Sequence, residues 1–232
     1  MKIGKEYIEI IRKVFKVDQK DILNIKSLEK GMTNDSFVEH EIIRPFITDT
    51  YGENYKSEFT VDYDTKFSSF IQGKKTIKLE GKLGIYNNMR RNFKFQLAFD
   101  ILRNNAAARQ YLQSKYVMLF IDEYQDSDLD MHELFMYIKN ELRINLFIVG
   151  DSKQAIYLWR GAQSNIFDLL EEENMNKYEL IKNFRSNEEI VNYANLIHNN
   201  DYFDNSYKNE VQRVVHYKTN NFINDFSLVY MP

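Results

Sequence analysis

Two short apolar runs in the second half of the chain, Val117-Met118-Leu119-Phe120-Ile121 and Asn145-Leu146-Phe147-Ile148-Val149, each discharge into a loop headed by an acidic residue. Between them Leu134, Phe135, Ile138 and Leu142 recur at helical spacing, which predicts a helix over Met131–Leu142. The alternation continues with an expected helix over Ser164–Glu172, a short strand over Tyr178–Ile181 and a helix over Asn187–His198. Strands alternating with amphipathic helices predict an α/β fold: a parallel sheet covered by helices. In such sheets ligands collect beyond the carboxyl ends of the strands, and Asp122 and Asp151 fall there.

Upstream the pattern is less regular. Ile3, Tyr7, Ile10, Ile11, Val14 and Phe15 suit a first amphipathic helix, and Asp21–Leu28 a short strand. A helix is expected over Phe37–Thr48, with Pro45 as a kink position. Residues 51–92 read as an inserted, partly helical subdomain, and Phe93–Tyr116 as one long helix. The 232 residues suffice for one large or two small domains. With no cysteine there are no disulfides, zinc-thiolate sites or thiol nucleophiles, which fits a cytoplasmic protein. No apolar stretch reaches the roughly 18 residues of a membrane helix, so no membrane association is expected. The formal net charge of −3 removes any global basic field, so a nucleic-acid contact would have to be local.

Two loops concentrate the chemistry. In Ile121-Asp122-Glu123-Tyr124-Gln125-Asp126, Asp122 stands where a strand hands over to a loop, a position suited to Mg²⁺, which takes one or two carboxylates plus water and phosphate oxygens. Glu123 beside it could orient and deprotonate an attacking water. Asp126, Asp128 and Asp130 read instead as caps for the positive end of the next helix. The second loop, Val149–Ala162, holds Gln154, a neutral group able to sense a phosphate or water. It also holds Arg160, whose fork suits a phosphate or the Glu123 carboxylate. Tyr157 and Trp159 suit stacking on an unpaired base, but taken alone Ile156, Tyr157 and Trp159 read as core. Further on, Phe184 could stack on an adenine and Arg185 could reach a γ-phosphate; a solvated turn is the plainer alternative. The four histidines show no metal-ligand spacing, and Lys74-Lys75 and Arg90-Arg91 read as solvated surface.

Taken in order, IDEYQD, VGDSKQAIYLWRGA and NFRS resemble motifs II, III and IV of the UvrD/Rep-type superfamily 1 DNA helicases. Gly31–Phe37 (GMTNDSF) resembles that family's motif Ib. The stretch from about Asn34 to Gln212, most closely Val38–Pro45 and Asn92–Ala162, is similar to the helicase subunit of the Gabija anti-phage system. The resemblance implies a partial RecA-like domain with a mainly helical insertion. It implies ATP and Mg²⁺ as cofactors and single-stranded or forked DNA as partner, a further partner being a Gabija-type nuclease. By position, Asp122 would hold Mg²⁺, Glu123 would be the catalytic base and Gln154 would sense the γ-phosphate. Arg160 would bridge nucleotide and acidic motif, Arg185 would be the arginine finger and Phe184 would face the adenine. Tyr157 and Trp159 would contact single-stranded DNA, and Thr33, Asn34 and Ser36 its backbone.

One expected part has no counterpart. A P-loop needs G-x-x-x-x-G-K-[ST], and its nearest approach, Gly73-Lys74-Lys75-Thr76, has Lys75 in place of Ser/Thr and Ser68 in place of the first Gly. Asp21–Asn34 resembles the nucleotide-binding start of choline kinases and aminoglycoside phosphotransferases, without their catalytic segment. The expected organisation is therefore an atypical segment over 1–33 in place of the P-loop region. A partial helicase domain 1A follows over 34–182, with a 1B-like insertion at about 40–110, and then the start of domain 2A over 183–232. Two functions are expected: a helicase fragment with little ATPase alone, or a non-catalytic module that binds a partner nuclease or DNA.

Overall fold

The computed structural model describes residues 32–173, 175–179 and 186–198. The helix expected over 3–16, the strand over Asp21–Leu28, and Phe184 and Arg185 lie outside the described residues. The chain divides after Met175 into two compact units.

The described residues of the first unit begin with a helical run: α1 (Asn34–Phe37), a π-helical turn (Val38–Ile43) and α2 (Arg44–Tyr51). Thr33 starts it, its Oγ1 accepting from the Ser36 N–H at 3.1 Å. Pro45 sits at the start of α2, directly after the π turn, where the absent N–H is tolerated. Val38, Ile42, Ile43 and Ile47 are fully buried on its inner side. Glu39 and Glu41, from the same turn, are also buried, and both are paired. Glu39 accepts from Arg44 (2.9 and 2.6 Å) and Lys94 (3.3 Å), and Glu41 from Lys115 (2.5 Å) and Tyr111 (2.9 Å). Burial pushes both carboxyls up, but these donors outweigh it and hold both below the ordinary glutamate range.

Residues 51–92 carry more strand than expected. β1 (Thr60–Phe67), α3 (Phe70–Glu80) and β2 (Lys82–Tyr86) form a parallel pair with a crossover helix. The polar, aromatic-spotted composition hid the strands, because only part of each is buried. Gly73, the nearest approach to a P-loop glycine, lies inside α3 packed against Phe93 and Phe67.

The single helix expected over Phe93–Tyr116 is two: α4 (Phe93–Asn104) and α5 (Ala106–Lys115). Asn105 breaks them. Its carbonyl oxygen caps α5 by accepting from the Ala108 N–H at 3.0 Å, while its amide donates to Asp49 (2.8 Å) and Thr50 (3.0 Å). α4 buries Phe93, Phe95, Leu97, Ala98, Ile101 and Leu102 against the π turn and the helix α6 (Leu129–Asn140).

The expected strands pair as β3 (Met118–Ile121) and β4 (Asn145–Ile148), parallel, with Met118 opposite Asn145 and Ile121 opposite Ile148. This register brings both carboxyl ends level. α7 (Ile166–Glu172) follows. Tyr178 and Glu179, expected to start a strand, are not in one, and Leu180–Ile181 lie outside the described residues. In the second unit, α8 (Glu188–His198) begins where Asn187 Oδ1 accepts from the Ile190 N–H at 3.1 Å. Among the described residues no helix is long and apolar enough to cross a membrane.

Candidate functional site

The site begins where β3 and β4 stop. The Val149 N–H donates to the Ile121 carbonyl at 2.8 Å, and the Tyr124 N–H donates to the Val149 carbonyl at 3.0 Å. The ladder therefore continues past the strand ends and aligns Asp122 and Glu123 beside Gly150 and Asp151. Glu123 has φ 55° and ψ 42°, left-handed for a residue with a side chain. Such a backbone costs on the order of 1–2 kcal/mol and persists only where its surroundings impose it. The turn here is imposed by the cross-strand bonds.

Gln125, not singled out in the sequence, joins the two loops. It is 2% exposed; its amide donates to Glu123 Oε2 at 2.6 Å and its carbonyl oxygen accepts from the Asp151 N–H at 3.0 Å. Asp151 in turn accepts from Gln154 Nε2 at 2.9 Å. A relay thus runs from Glu123 through Gln125 and Asp151 to Gln154. Gly150 makes room for it: a Cβ there would stand 2.7 Å from Gln125 Oε1 and 2.8 Å from the Phe167 ring. The sequence carried only a weak signal for this glutamine, a neutral residue amid carboxylates.

The three following aspartates divide. Asp128 caps α6 as expected, accepting from the Met131 N–H at 2.8 Å. Asp130 does not cap that helix. It is buried and takes the Arg91 guanidinium (3.0–3.3 Å) and the Asn92 N–H (2.6 Å). Arg91 is accordingly tied to Asp130, although its side chain stays 49% exposed, as expected of a surface residue. Asp126 is no cap either; burial, and then the negative Glu123, push its carboxyl above the ordinary range. Its Oδ1 and Ser127 Oγ are buried without a hydrogen-bond partner.

The loop after β4 makes two 3-10 turns, Ser152–Gln154 and Leu158–Arg160. Its apolar side chains are not core: Ile156 and Trp159 are each 69% exposed and Tyr157 37%. That overturns the reading of these residues as core, since hydropathy alone cannot tell a displayed aromatic from a buried one. The Arg160 guanidinium lies 5.6 Å from the ring centroids of both Tyr157 and Trp159. Gly161 ends the second turn at φ 102°.

Thr33, Asn34 and Ser36 stand at the start of α1. Thr33 acts as its cap, Ser36 Oγ meets His40 Nδ1 at 3.3 Å, and Asn34 Nδ2 meets Met131 Sδ at 3.8 Å.

Asp122 fits a hard cation. It is exposed, and its Oδ1 accepts from the Glu123 N–H at 3.0 Å, which fixes the carboxylate's orientation. Among the described residues no three His, Asp or Glu side chains cluster around a common point. A single carboxylate of this kind would leave Mg²⁺ its water and phosphate positions.

A family model described as UvrD/REP helicase N-terminal domain matches residues 2–176. The chain is similar to Gabija protein GajB of Bacillus cereus, 53% identical over 186 residues, 79% of this chain and 38% of that protein. It is also similar to ATP-dependent DNA helicase Rep of Buchnera aphidicola, 37% identical over 108 residues, 45% of this chain and 16% of that protein. The chain therefore spans well under half the length of these relatives.

Proposed function

We propose that this chain, which belongs to the UvrD/REP helicase N-terminal domain family, is the part of a Gabija-type anti-phage helicase that joins ATP hydrolysis to single-stranded DNA. Mg–ATP, when bound, supplies the phosphoanhydride whose cleavage drives movement along DNA. Asp122 holds the cation, Glu123 takes a proton from the attacking water, and Gln154 reads the terminal phosphate. Arg160 links that phosphate to the acidic loop, with Arg185 as arginine finger and Phe184 against the adenine. Tyr157 and Trp159 stack on unpaired bases, and Thr33, Asn34 and Ser36 face the DNA backbone.

The observation that carries this reading is the display of Trp159 on a loop whose Asp151 is joined through Gln125 to the Glu123 carboxylate. Gln125 ties Asp151 to Glu123, so a change at the carboxylate is transmitted to the segment that ends in Tyr157-Leu158-Trp159. Base–aromatic stacking contributes about 1–3 kcal/mol per base.

Trp159 is the sole tryptophan, so it reports on its own contact. Titrating the chain with oligothymidylate is expected to quench its emission. Tyr157→Ala should weaken the apparent affinity roughly 5- to 100-fold, the equivalent of one lost stack. Emission unmoved by micromolar oligonucleotide would sink the reading.

The sequence motif for a phosphate cradle is missing from the 232 residues, and that favours a second reading, a non-catalytic module that docks on a partner nuclease. Here a Gabija-type nuclease would retain the chain in a pull-down; no retention at micromolar concentration would count against it.

A further inference from the structure

The turn at Asn88–Arg91 comes from the insertion, yet it is pressed against the loop that displays Trp159. A Cβ on Gly161 would stand 2.7 Å from the Met89 carbonyl oxygen and 2.9 Å from the Arg90 Cα. Only a glycine permits that approach, and the φ of 102° makes the same demand. The turn is held from several directions. The Arg90 N–H donates to Asn88 Oδ1 at 3.0 Å and the Arg91 N–H to the Asn88 carbonyl at 3.1 Å. Arg91 is paired with Asp130, and Asn92 Nδ2 donates to Asp128 at 2.9 Å. Both arginines are exposed, but the Arg91 guanidinium is committed to Asp130, whereas Arg90 stands on a fixed backbone packed against Gly161 and next to the Arg160-Trp159 surface.

We propose that Arg90 is a phosphate-binding residue of the single-strand track: it takes a backbone phosphate of the strand whose base stacks on Trp159. The inference rests on the stacking role of Trp159 proposed above. It gives the insertion a defined task, one wall of the track, with Gly161 as the point where the two walls meet. A guanidinium suits this position, since it remains charged at any physiological pH and its fork matches phosphate oxygens. The contact is to backbone, so it carries no base preference.

The test is the Trp159 titration with oligothymidylate, run over a range of salt for the wild-type chain and for Arg90→Ala, Arg90→Lys and Lys75→Ala. For a single strand, each phosphate contact contributes about 0.7 to the slope of log affinity against log salt. Arg90→Ala is expected to lower the slope by about 0.7 and to weaken binding roughly eightfold at about 50 mM salt, while full quenching at saturation is kept. Arg90→Lys should recover most of the slope. Lys75→Ala removes the same charge from α3 and should leave the slope unchanged. An Arg90→Ala slope equal to wild type overturns the assignment while the stacking role stands. So does an equal fall in Lys75→Ala, which would mark general electrostatics. Absence of quenching in the wild type removes the stacking role, and this inference with it.

Discussion

Gln125 shows how one side chain can decide what a loop does. Its amide has a donor and an acceptor end, and both are used, one on Glu123 and the other on the Asp151 N–H. Glutamate would bring a second negative charge beside Glu123, and leucine would satisfy neither partner. Gln125→Leu keeps the volume but leaves the buried bond to Asp151 unmade, so it should cost about 1–3 kcal/mol. Urea unfolding measures this; a variant as stable as wild type would show that the bridge carries no weight. At this scale the roles legible in the sequence were those set by near neighbours, such as Asp128 capping its own helix. Asp130 was misread because its partner Arg91 lies 39 positions away.

Among the elements, the break at Asn105 has the clearest consequence. Periodic apolar residues run from Phe93 to Leu112, and periodicity does not register a change of axis. What ends α4 is a buried carboxamide that caps α5 and binds Asp49 and Thr50 from α2. Asn105→Ala removes the cap, at about 1 kcal/mol, and strips the donor from Asp49 and Thr50. A fall of about 2 kcal/mol in unfolding free energy is expected, and Asn105→Ser, which restores only the cap without a charge beside Asp49, should recover part of it. Equal stability of Asn105→Ala and wild type in the same urea titration would contradict this account. β1 and β2 escaped detection for a related reason. β1 is buried only at Phe67, and β2, at five residues, is too short to show alternation; the crossover helix supplies the covering face.

For the molecule as a whole, pH is the sensitive variable. His132 is buried with Nδ1 3.0 Å from Tyr124 Oη. Burial lowers its pKa, only partly offset by Glu173, so folding favours the neutral ring. Its contribution to stability is complete above the unfolded-state value of about 6.5 and is lost as pH falls through the lower folded value. Glu39 and Glu41, held below the ordinary range, lose their contribution further down, below about pH 4.3. Asp128 runs the other way: burial raises its pKa, so its protonation favours the folded state. The melting temperature is therefore expected to decline between about pH 7 and pH 5, with a shallower decline in His132→Gln. Identical profiles for the two chains would exclude His132 as the source.

By itself the sequence determined the strand–helix alternation from β3 to α7, the end of the sheet at which carboxylates gather, and the family to which the motifs belong. These follow from short-range information: the period of apolar residues, and side chains adjacent in the chain. Tertiary structure alone decided that Gln125 joins Glu123 to Asp151 and that Trp159 is displayed rather than buried. It also decided that Arg91 pairs with Asp130, 39 positions away. Each depends on a partner supplied by a distant segment, and the energy of a polar or aromatic side chain is set by whether that partner arrives.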